Sequence, residues 1–361
     1  MGNEIMTVLG PIAPQELGLT DMHAHIMVDM SVWRRLAEPL MPGNLPVSGD
    51  EPVSLENVGL LRRNWFLLAD NMLLDDEDVM AAEVSDFRAG GGRAMVEKSC
   101  LGARLDLPAV QRISQKTGVH VVATTGLFIE ESWPEHTRDM TIEQLTELMV
   151  KEIEDGIEDT GIKAGHIGEL GVGSVSERDV RNLRAAARAS LETGVSVSVH
   201  HSIGKPHGRT SVDILTQEGM NPQRIIMDHV DEDLFERELR VLIENPNRRG
   251  LNLDYAKSLL DRGVNIGFCN FGHSYATELG GWVSVPDWQR IAVLLELVDA
   301  GYAAQIVLGS DTFTKTMMRR YGGDGYCRLT DYVVPTLKAM SVCDFDIWQM
   351  TVDNPARVLA R

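Results

Sequence analysis

The amino-acid sequence predicts one closed (β/α)8, or TIM, barrel spanning residues 1–361, and three observations carry that expectation. Eight short apolar segments alternate with helical runs, the pattern of parallel strands covered on both faces. No linker, tandem repeat or low-complexity tract divides the chain. Side chains suited to catalysis gather at the C-terminal ends of the segments, the end where such barrels carry their chemistry. Eight such units fit a closed barrel better than a doubly wound sheet.

In chain order, the first strand ends in Thr20-Asp21-Met22-His23-Ala24-His25. Ser31 to Asp50, with Pro39, Pro42 and Pro46, reads as irregular, and Leu55 to Phe87 as helical. Strand two, Ala94 to Ser99, follows the Gly90-Gly91-Gly92 break, and a helix from Leu107 to Lys116 is stopped by Gly118. After strand three, His120 to Gly126, the segment Thr141 to Ile157 places Ile142, Leu145, Leu148, Met149, Ile153 and Ile157 on one helical face. Strand four is His166 to Gly171, and Ser176-Glu177-Arg178-Asp179 reads as a capping box opening an Ala-rich helix that ends at Gly194. Strand five is Val195 to His200; a helix near Ser211 to Gln217 leads to strand six, Arg224 to His229. Asp233 to Ile243 and Tyr255 to Asp261 look helical, Val264 to Cys269 is strand seven, and Trp288 to Ala300 is a helix. Gln305 to Asp311 is strand eight, and Leu329 to Arg361 is helical, its last helix starting at Asn354-Pro355-Ala356-Arg357.

Composition narrows the function. With 43% hydrophobic and 24% charged residues, the chain can bury a large core. A net charge of −19 argues against nucleic acid or an anionic membrane as partner. Cys100, Cys269, Cys327 and Cys343 form no CxxC pair, which fits a reducing compartment. Met1 to Leu9 carries Glu4 and does not read as a leader, and no apolar run approaches the roughly 20 residues that span a bilayer. The expectation is a soluble cytoplasmic protein acting on a small molecule. Glycine-rich spots lack the GxGxxG or GxxxxGK[ST] context of a nucleotide cradle.

His23 and His25 are spaced to project together from a strand, and two imidazoles side by side can grip one metal ion. Glu169, His200, His229 and Asp311 fall at four other strand ends. Six metal-competent side chains at one rim make a ligand set for two divalent cations, with room for a bridging oxygen. Each has a plainer reading. His200 competes with His201 for the inward direction, and Asp228 fits either support behind His229 or a surface charge. Glu169 fits a helix cap and Asp311 a turn cap. His120 and His166, at strand starts, and His136, His207 and His273, in loops, read as bland and largely solvated, with His207 or His273 able to line a pocket. Lys163 precedes strand four, on the wrong side of the barrel to bridge metals. Lys98, at the end of strand two, fits substrate contact or an ion pair.

Several of these segments resemble the phosphotriesterase family of the amidohydrolase superfamily, along nearly the whole chain. They are Thr7 to Ile12 with Leu17-Gly18-Leu19-Thr20, His23-x-His25, the Ala185 to Ala189 helix, Gly194 to His200, Asp311 and Asn354-Pro355-Ala356-Arg357. Ile167-Gly168-Glu169-Leu170-Gly171, Thr314-Lys315-Thr316 and Tyr321 to Tyr326 are similar to the phosphotriesterase-related, N-acetyltaurine hydrolase-like branch, in which glutamate replaces a carbamylated lysine as metal bridge. The resemblance implies His23, His25 and Asp311 on one metal and His200 and His229 on the other, with Glu169 and a hydroxide bridging. It picks His200 over His201, makes Asp311 the proton acceptor, and implies two divalent ions, zinc first, with manganese, cobalt or iron also suitable. Homodimerisation is implied as well. Substrate contacts are expected at Lys98, Phe128, Asn270 and Lys315.

Three positions depart from the family pattern: Ala24 stands where glutamate is common, Phe268-Cys269-Asn270 where aspartate is frequent, and Arg104-Leu105-Asp106 interrupts an Arg-Asp pair. The first implies altered support behind the ligands; the other two lie near substrate loops, so the substrate does not carry over. The expected activity is binuclear metal-dependent hydrolysis of a small carboxylic ester, lactone or amide by a bridging hydroxide. Phosphotriester hydrolysis and a non-catalytic, metal-containing binding barrel are the alternatives. Lys98, Arg104, Lys205, Lys315 and Arg319, near the expected mouth, fit either recognition of an anionic substrate group or plain surface charge.

Overall fold

A computed structural model of the protein describes residues 3–41, 49–201, 207–245, 251–273 and 278–361. Eight parallel strands form the central sheet: β1 (Thr20–Ala24), β2 (Ala94–Glu97), β3 (His120–Thr125), β4 (His166–Val172), β5 (Val197–His201), β6 (Ile225–Met227), β7 (Asn265–Phe268) and β8 (Ile306–Leu308). Each pairs with the next in chain order, and helices pack around the outside. The barrel expectation holds, and its element order matches the sequence reading.

The helices start and stop where side-chain chemistry dictates. Thr141 and Gln144 close a capping box on the helix Ile142–Glu154, and Ser176 and Asp179 close one on Glu177–Thr193. Gly118 and Gly194 end their helices in the left-handed conformation. Inside the barrel, Val96, Val122, Ile226 and Val307 pack with Met22 and Ala94, and Ile5, Leu17, Val358 and Leu359 join the same cluster. A larger apolar cluster fills the space between strands and helices. The interior below the strand ends is therefore largely apolar, with His166, Ser196 and Ser198 as buried polar exceptions.

Strand pairing stops short of joining β8 to β1. That seam is held by other bonds. The carbonyl of His23 accepts from the backbone N–H of Ser310 (3.2 Å) and of Asp311 (2.7 Å). The Asp21 carboxylate accepts from the N–H of His23 (3.0 Å), the N–H of Ser310 (3.1 Å) and the Ser310 hydroxyl (2.6 Å). Gly309 permits this approach, because a Cβ there would lie 2.7 Å from Cβ of His23 and 2.9 Å from its N.

Local structure departs from expectation in four places. Ser31–Ala37 is a helix rather than irregular chain, started by the Asp29 carboxylate accepting from the Ser31 N–H at 2.8 Å. Leu55 to Phe87 is not one helical region. It contains a single turn, Val58–Leu61, a two-residue strand, Leu73–Leu74, paired with Val28–Asp29, and a true helix only at Glu77–Ala89. Asp76 caps that helix by accepting from the N–H groups of Asp78 and Val79, which fixes its start. Asp233 to Ile243 splits into Val230–Asp233 and Leu239–Glu244. An antiparallel pair, Ile5–Thr7 with Gly10–Ile12, precedes the barrel. Pro42 and Pro46 lie outside the described residues. Among the described residues no helix is long and apolar enough to cross a membrane.

The seam makes a stability prediction. Gly309→Ala should destabilise the protein by about 1–3 kcal/mol, the usual cost of forcing a methyl group into a filled site. Urea unfolding followed by circular dichroism reads the shift; an unchanged midpoint would show that the seam yields at no cost.

Candidate metal centre

The six expected side chains converge. Glu169 Oε2 lies 3.4 Å from His23 Nε2, 3.0 Å from His200 Nδ1 and 3.1 Å from His229 Nε2, while Oε1 lies 3.5 Å from His25 Nε2. Asp311 Oδ1 lies 3.4 Å from His23 Nε2 and 3.2 Å from His25 Nε2. The ligand atoms of His23, His25 and Asp311 all lie within 4.8 Å of one another, as do those of Glu169, His200 and His229. Glu169 is thus no helix cap; Ser176 and Asp179 do that work.

Backbone geometry brings these atoms together. Strand register slips between Ile167 and Leu170, where Gly168 has φ +108° and its peptide to Glu169 is cis. A Cβ on Gly168 would sit 2.3 Å from the Ser198 carbonyl, so only glycine passes β5 here. His229 (φ 61°) and Asp311 (φ 44°) are held in the left-handed region just beyond their strands, a conformation uncommon outside glycine and concentrated at functional sites. His201 turns the other way, with its Nε2 3.4 Å from the Ser211 hydroxyl, leaving His200 as the inward histidine.

The donor set passes a chemical test for a cation. Nε2 of His23 and Nε2 of His25 are buried without a hydrogen-bond partner, although each faces carboxylate oxygens. Buried polar atoms left in that state are costly unless a ligand uses them. Burial disfavours the charged imidazole at His25, but the carboxylates of Asp311 and Glu169 outweigh it and raise the pKa to about 10. At His229 burial is again opposed, by Glu169 and Asp311, with the same result of about 10. Burial likewise works against ionised Asp311, yet His23, His25 and His229 pull its pKa down to about 2, and Glu169 is held well below the usual range by the same kind of surroundings. Cys269 also comes within reach of His23 and His229, but burial and then Asp228 push its thiol well up, which makes it a poor ligand.

A ring of partners holds the six from behind. Ser99 Oγ lies 2.9 Å from His25 Nδ1, and Asn270 Oδ1 lies 2.8 Å from His229 Nδ1. Glu97 accepts from the N–H groups of Ile26 and Ser99. Asp228 Oδ2 lies 3.5 Å from His23 Nδ1, so Asp228 supports the centre rather than the surface. Lys98 bends into the barrel interior, bonding the Ser198 hydroxyl (2.6 Å) and Asp228 (3.2 Å) and lying 3.2 Å from His166 Nε2. Burial leaves Lys98 no route to a substrate in the mouth, which corrects its expected role. His166, read as bland, belongs to this buried chain through Lys98.

Above the centre lies a cavity of about 210 Å³, reached by His25, Glu169, His200, His229 and Asp311 and walled by Met30, Trp33, Trp65, Phe128 and Phe313. Phe128 and Asn270 line it. Lys315 does not; it pairs with Asp70 at 2.6 Å and Asp75 at 3.4 Å. Arg104 pairs with Glu152, Arg319 lies 3.6 Å from Asp86, and Lys205 lies outside the described residues. His273, read as solvated, is buried, with Nε2 2.8 Å from the Asp311 carbonyl. Sequence reading also missed Arg237, which reaches the cavity wall and pairs there with Glu232. No local motif marks it; only the fold brings it to the mouth.

A (β/α)8 barrel whose strand ends focus two histidine–carboxylate clusters on one cavity defines a protein of the metal-dependent hydrolase class. The chain belongs to the phosphotriesterase family, whose model matches residues 3–359. It is similar to N-acetyltaurine hydrolase of Salmo salar, 29% identical over an alignment of 369 positions that covers 99% of this chain and 98% of that protein. A phosphotriesterase-related protein of Nematostella vectensis is 29% identical, covering 97% and 96%. Among solved structures it resembles a resiniferatoxin-binding protein from Rhodobacter sphaeroides (TM-score 0.86, 30% identity, 99% and 95% covered). It also resembles a lactonase from Listeria monocytogenes (TM-score 0.77, 25% identity, 99% and 98% covered).

The histidine pKa values set the sign of metal binding with pH. Metal takes neutral imidazole, whereas His25 and His229 stay protonated in the metal-free protein up to about pH 10. Binding should therefore release protons at pH 8, and affinity should rise with pH up to about 10. Calorimetric zinc titrations in buffers of different ionisation enthalpy measure the release; zero protons released would contradict the charged, metal-free cluster.

Proposed function

We propose that the protein is a binuclear metal-dependent hydrolase of a small carboxylic ester, lactone or amide. The observation that carries this reading is Glu169, buried between two clusters of imidazole and carboxylate at the floor of one cavity. His23, His25 and Asp311 would hold one divalent cation, and His200 and His229 the other, with Glu169 serving both. When bound, the cations supply Lewis-acid polarisation of the scissile carbonyl and a lowered pKa for water. Zinc suits this nitrogen and oxygen donor set, as do manganese, cobalt and iron.

The chain's own residues do the rest. Asp311 faces the cavity with a carboxylate kept ionised near neutrality, ready to take the proton of the attacking water. Asn270 Nδ2, 3.4 Å from Asp311 Oδ2, restrains that carboxylate while its Oδ1 holds His229. Relatives named lactonase and N-acetyltaurine hydrolase support a carbonyl substrate over a phosphotriester. A metal-containing binding barrel is the second reading, favoured by the name of the resiniferatoxin-binding protein. Retention of all six donor positions weighs for catalysis.

Two measurements decide between them. Metal analysis should find about two equivalents of zinc or manganese, and a panel of lactone, ester, amide and phosphotriester should show turnover of a carbonyl member. Two equivalents with no turnover of any member would favour the binder, and no metal under any condition would sink the ligand set. Asp311→Asn should lower kcat by about 10²–10⁴-fold while the far-ultraviolet spectrum stays that of the folded protein; a loss under tenfold would remove Asp311 from proton transfer.

A further inference from the structure

We infer that the cavity takes a substrate carrying a neutral, flat apolar group, such as a phenyl ring, beside its scissile carbonyl and rejects an anionic group in that place. The reaction rests on the hydrolase reading above; the fit to the cavity does not. Four aromatic side chains form a continuous arc over the centre. Phe128 meets Trp33 at 6.0 Å between ring centroids, Trp33 meets Trp65 at 6.4 Å, and Trp65 meets Phe313 at 5.2 Å, all edge to face. The arc ends on the two halves of the centre: Phe128 is 5.5 Å from the His200 ring and Phe313 is 6.4 Å from the His25 ring. Trp33 and Trp65 are half-buried, presenting indole surface to the cavity. Its volume of about 210 Å³ exceeds the roughly 150 Å³ in which an apolar cavity takes up benzene.

Charge points the same way. Among the described lining residues the lysine and arginine class is represented by Arg237, whose Nη1 is paired with Glu232 and whose Nε donates to the Val283 carbonyl at 2.9 Å. Glu232 is gripped from its other side by fully buried Arg290, itself paired with Asp231 at 2.7 Å. An anionic substrate group would have to displace Glu232 from Arg237 and would lie against aromatic carbon, a poor exchange for its hydration shell. The proposed cations do attract negative charge, but at the reacting carbonyl rather than along the aromatic arc.

A matched pair of probes tests this on the full-length, zinc-loaded protein: 2-phenylethyl acetate and 2-sulfoethyl acetate, which differ only in phenyl against sulfonate. In each, the oxygen of water bonds to the acetyl carbon, the bond from that carbon to the alcohol oxygen breaks, and a proton from the water ends on the alcohol. The phenyl ester should show at least about a tenfold higher kcat/KM. That ratio should fall in Trp33→Ala and Trp65→Ala and persist in Trp33→Phe. Glu232→Gln, which weakens the ion pair of Arg237, should move the ratio toward the sulfonate. A wild-type ratio near one, or one favouring the sulfonate, overturns the inference whether or not any variant folds. If neither ester is turned over, calorimetry with the two alcohols decides: binding of 2-phenylethanol in preference to 2-hydroxyethanesulfonate keeps the inference, with the hydrolase reading left to the substrate panel above, and any other result removes the inference.

Discussion

The hydrogen bond from the Asp311 N–H to the His23 carbonyl is the contact on which the rest of the molecule depends. It is the shortest backbone bond across a seam where the first and last strands form no regular ladder, and its two partners are themselves members of the polar centre. A closed barrel has no exposed sheet edge and brings all its strand ends to one mouth. Here closure and the site are one event. Gly309 gives β8 the close approach it needs to β1, and Asp21 fixes the height of the seam through Ser310.

Such a centre puts several charges in a low-dielectric interior, where an uncompensated one costs several kcal/mol. The chain answers in layers. Asp228 sits between Lys98 and His23, which with His229 hold its carboxyl far below the ordinary range against the opposing effect of burial. Further out, Arg290 is compensated by Asp231, Glu232 and Asp287, and Asp287 in turn by Arg328. Each layer leaves the next with near-neutral surroundings. This accounts for so many buried ionisable groups in a barrel whose interior is otherwise packed with aliphatic side chains.

Much of the fold and the six-residue cluster was legible because strand and site share a signal. An apolar run that ends in His, Glu or Asp is costly unless the polar residue has a cavity to face, so those ends stood out in β1, β4, β5, β6 and β8. What escaped notice lay where sequence spacing and space part company. Helix Ser31–Ala37, which carries Trp33, is masked by the prolines that follow it, although Asp29 is a recognisable start signal. Lys98 sits at a strand end, but its long stem turns back into the barrel, which strand alternation does not foresee. His273 is in a loop, and its burial comes from contacts with its neighbour Asn270 and with Asp311, the latter near it only in the folded chain.

The departures from the family pattern now acquire a common logic. Ala24 leaves β1 without a carboxylate between its histidines, and the carboxylate behind His25 comes instead from Glu97 on β2, acting through Ile26 and Ser99. Cys269 packs against Asp228 at 3.5 Å in place of a second carboxylate, which spares the interior one negative charge next to the Lys98 pair. Asn270, a neutral amide, bonds His229 with its oxygen and reaches Asp311 and His273 with its nitrogen. An amide can both donate and accept, so one side chain ties together donors from β6 and β8 without adding charge. The substitutions therefore change what stands behind and beside the six donors while the donors stay in place. Asn270 also lines the cavity, so one change that keeps the donors in place also alters the wall a substrate would meet.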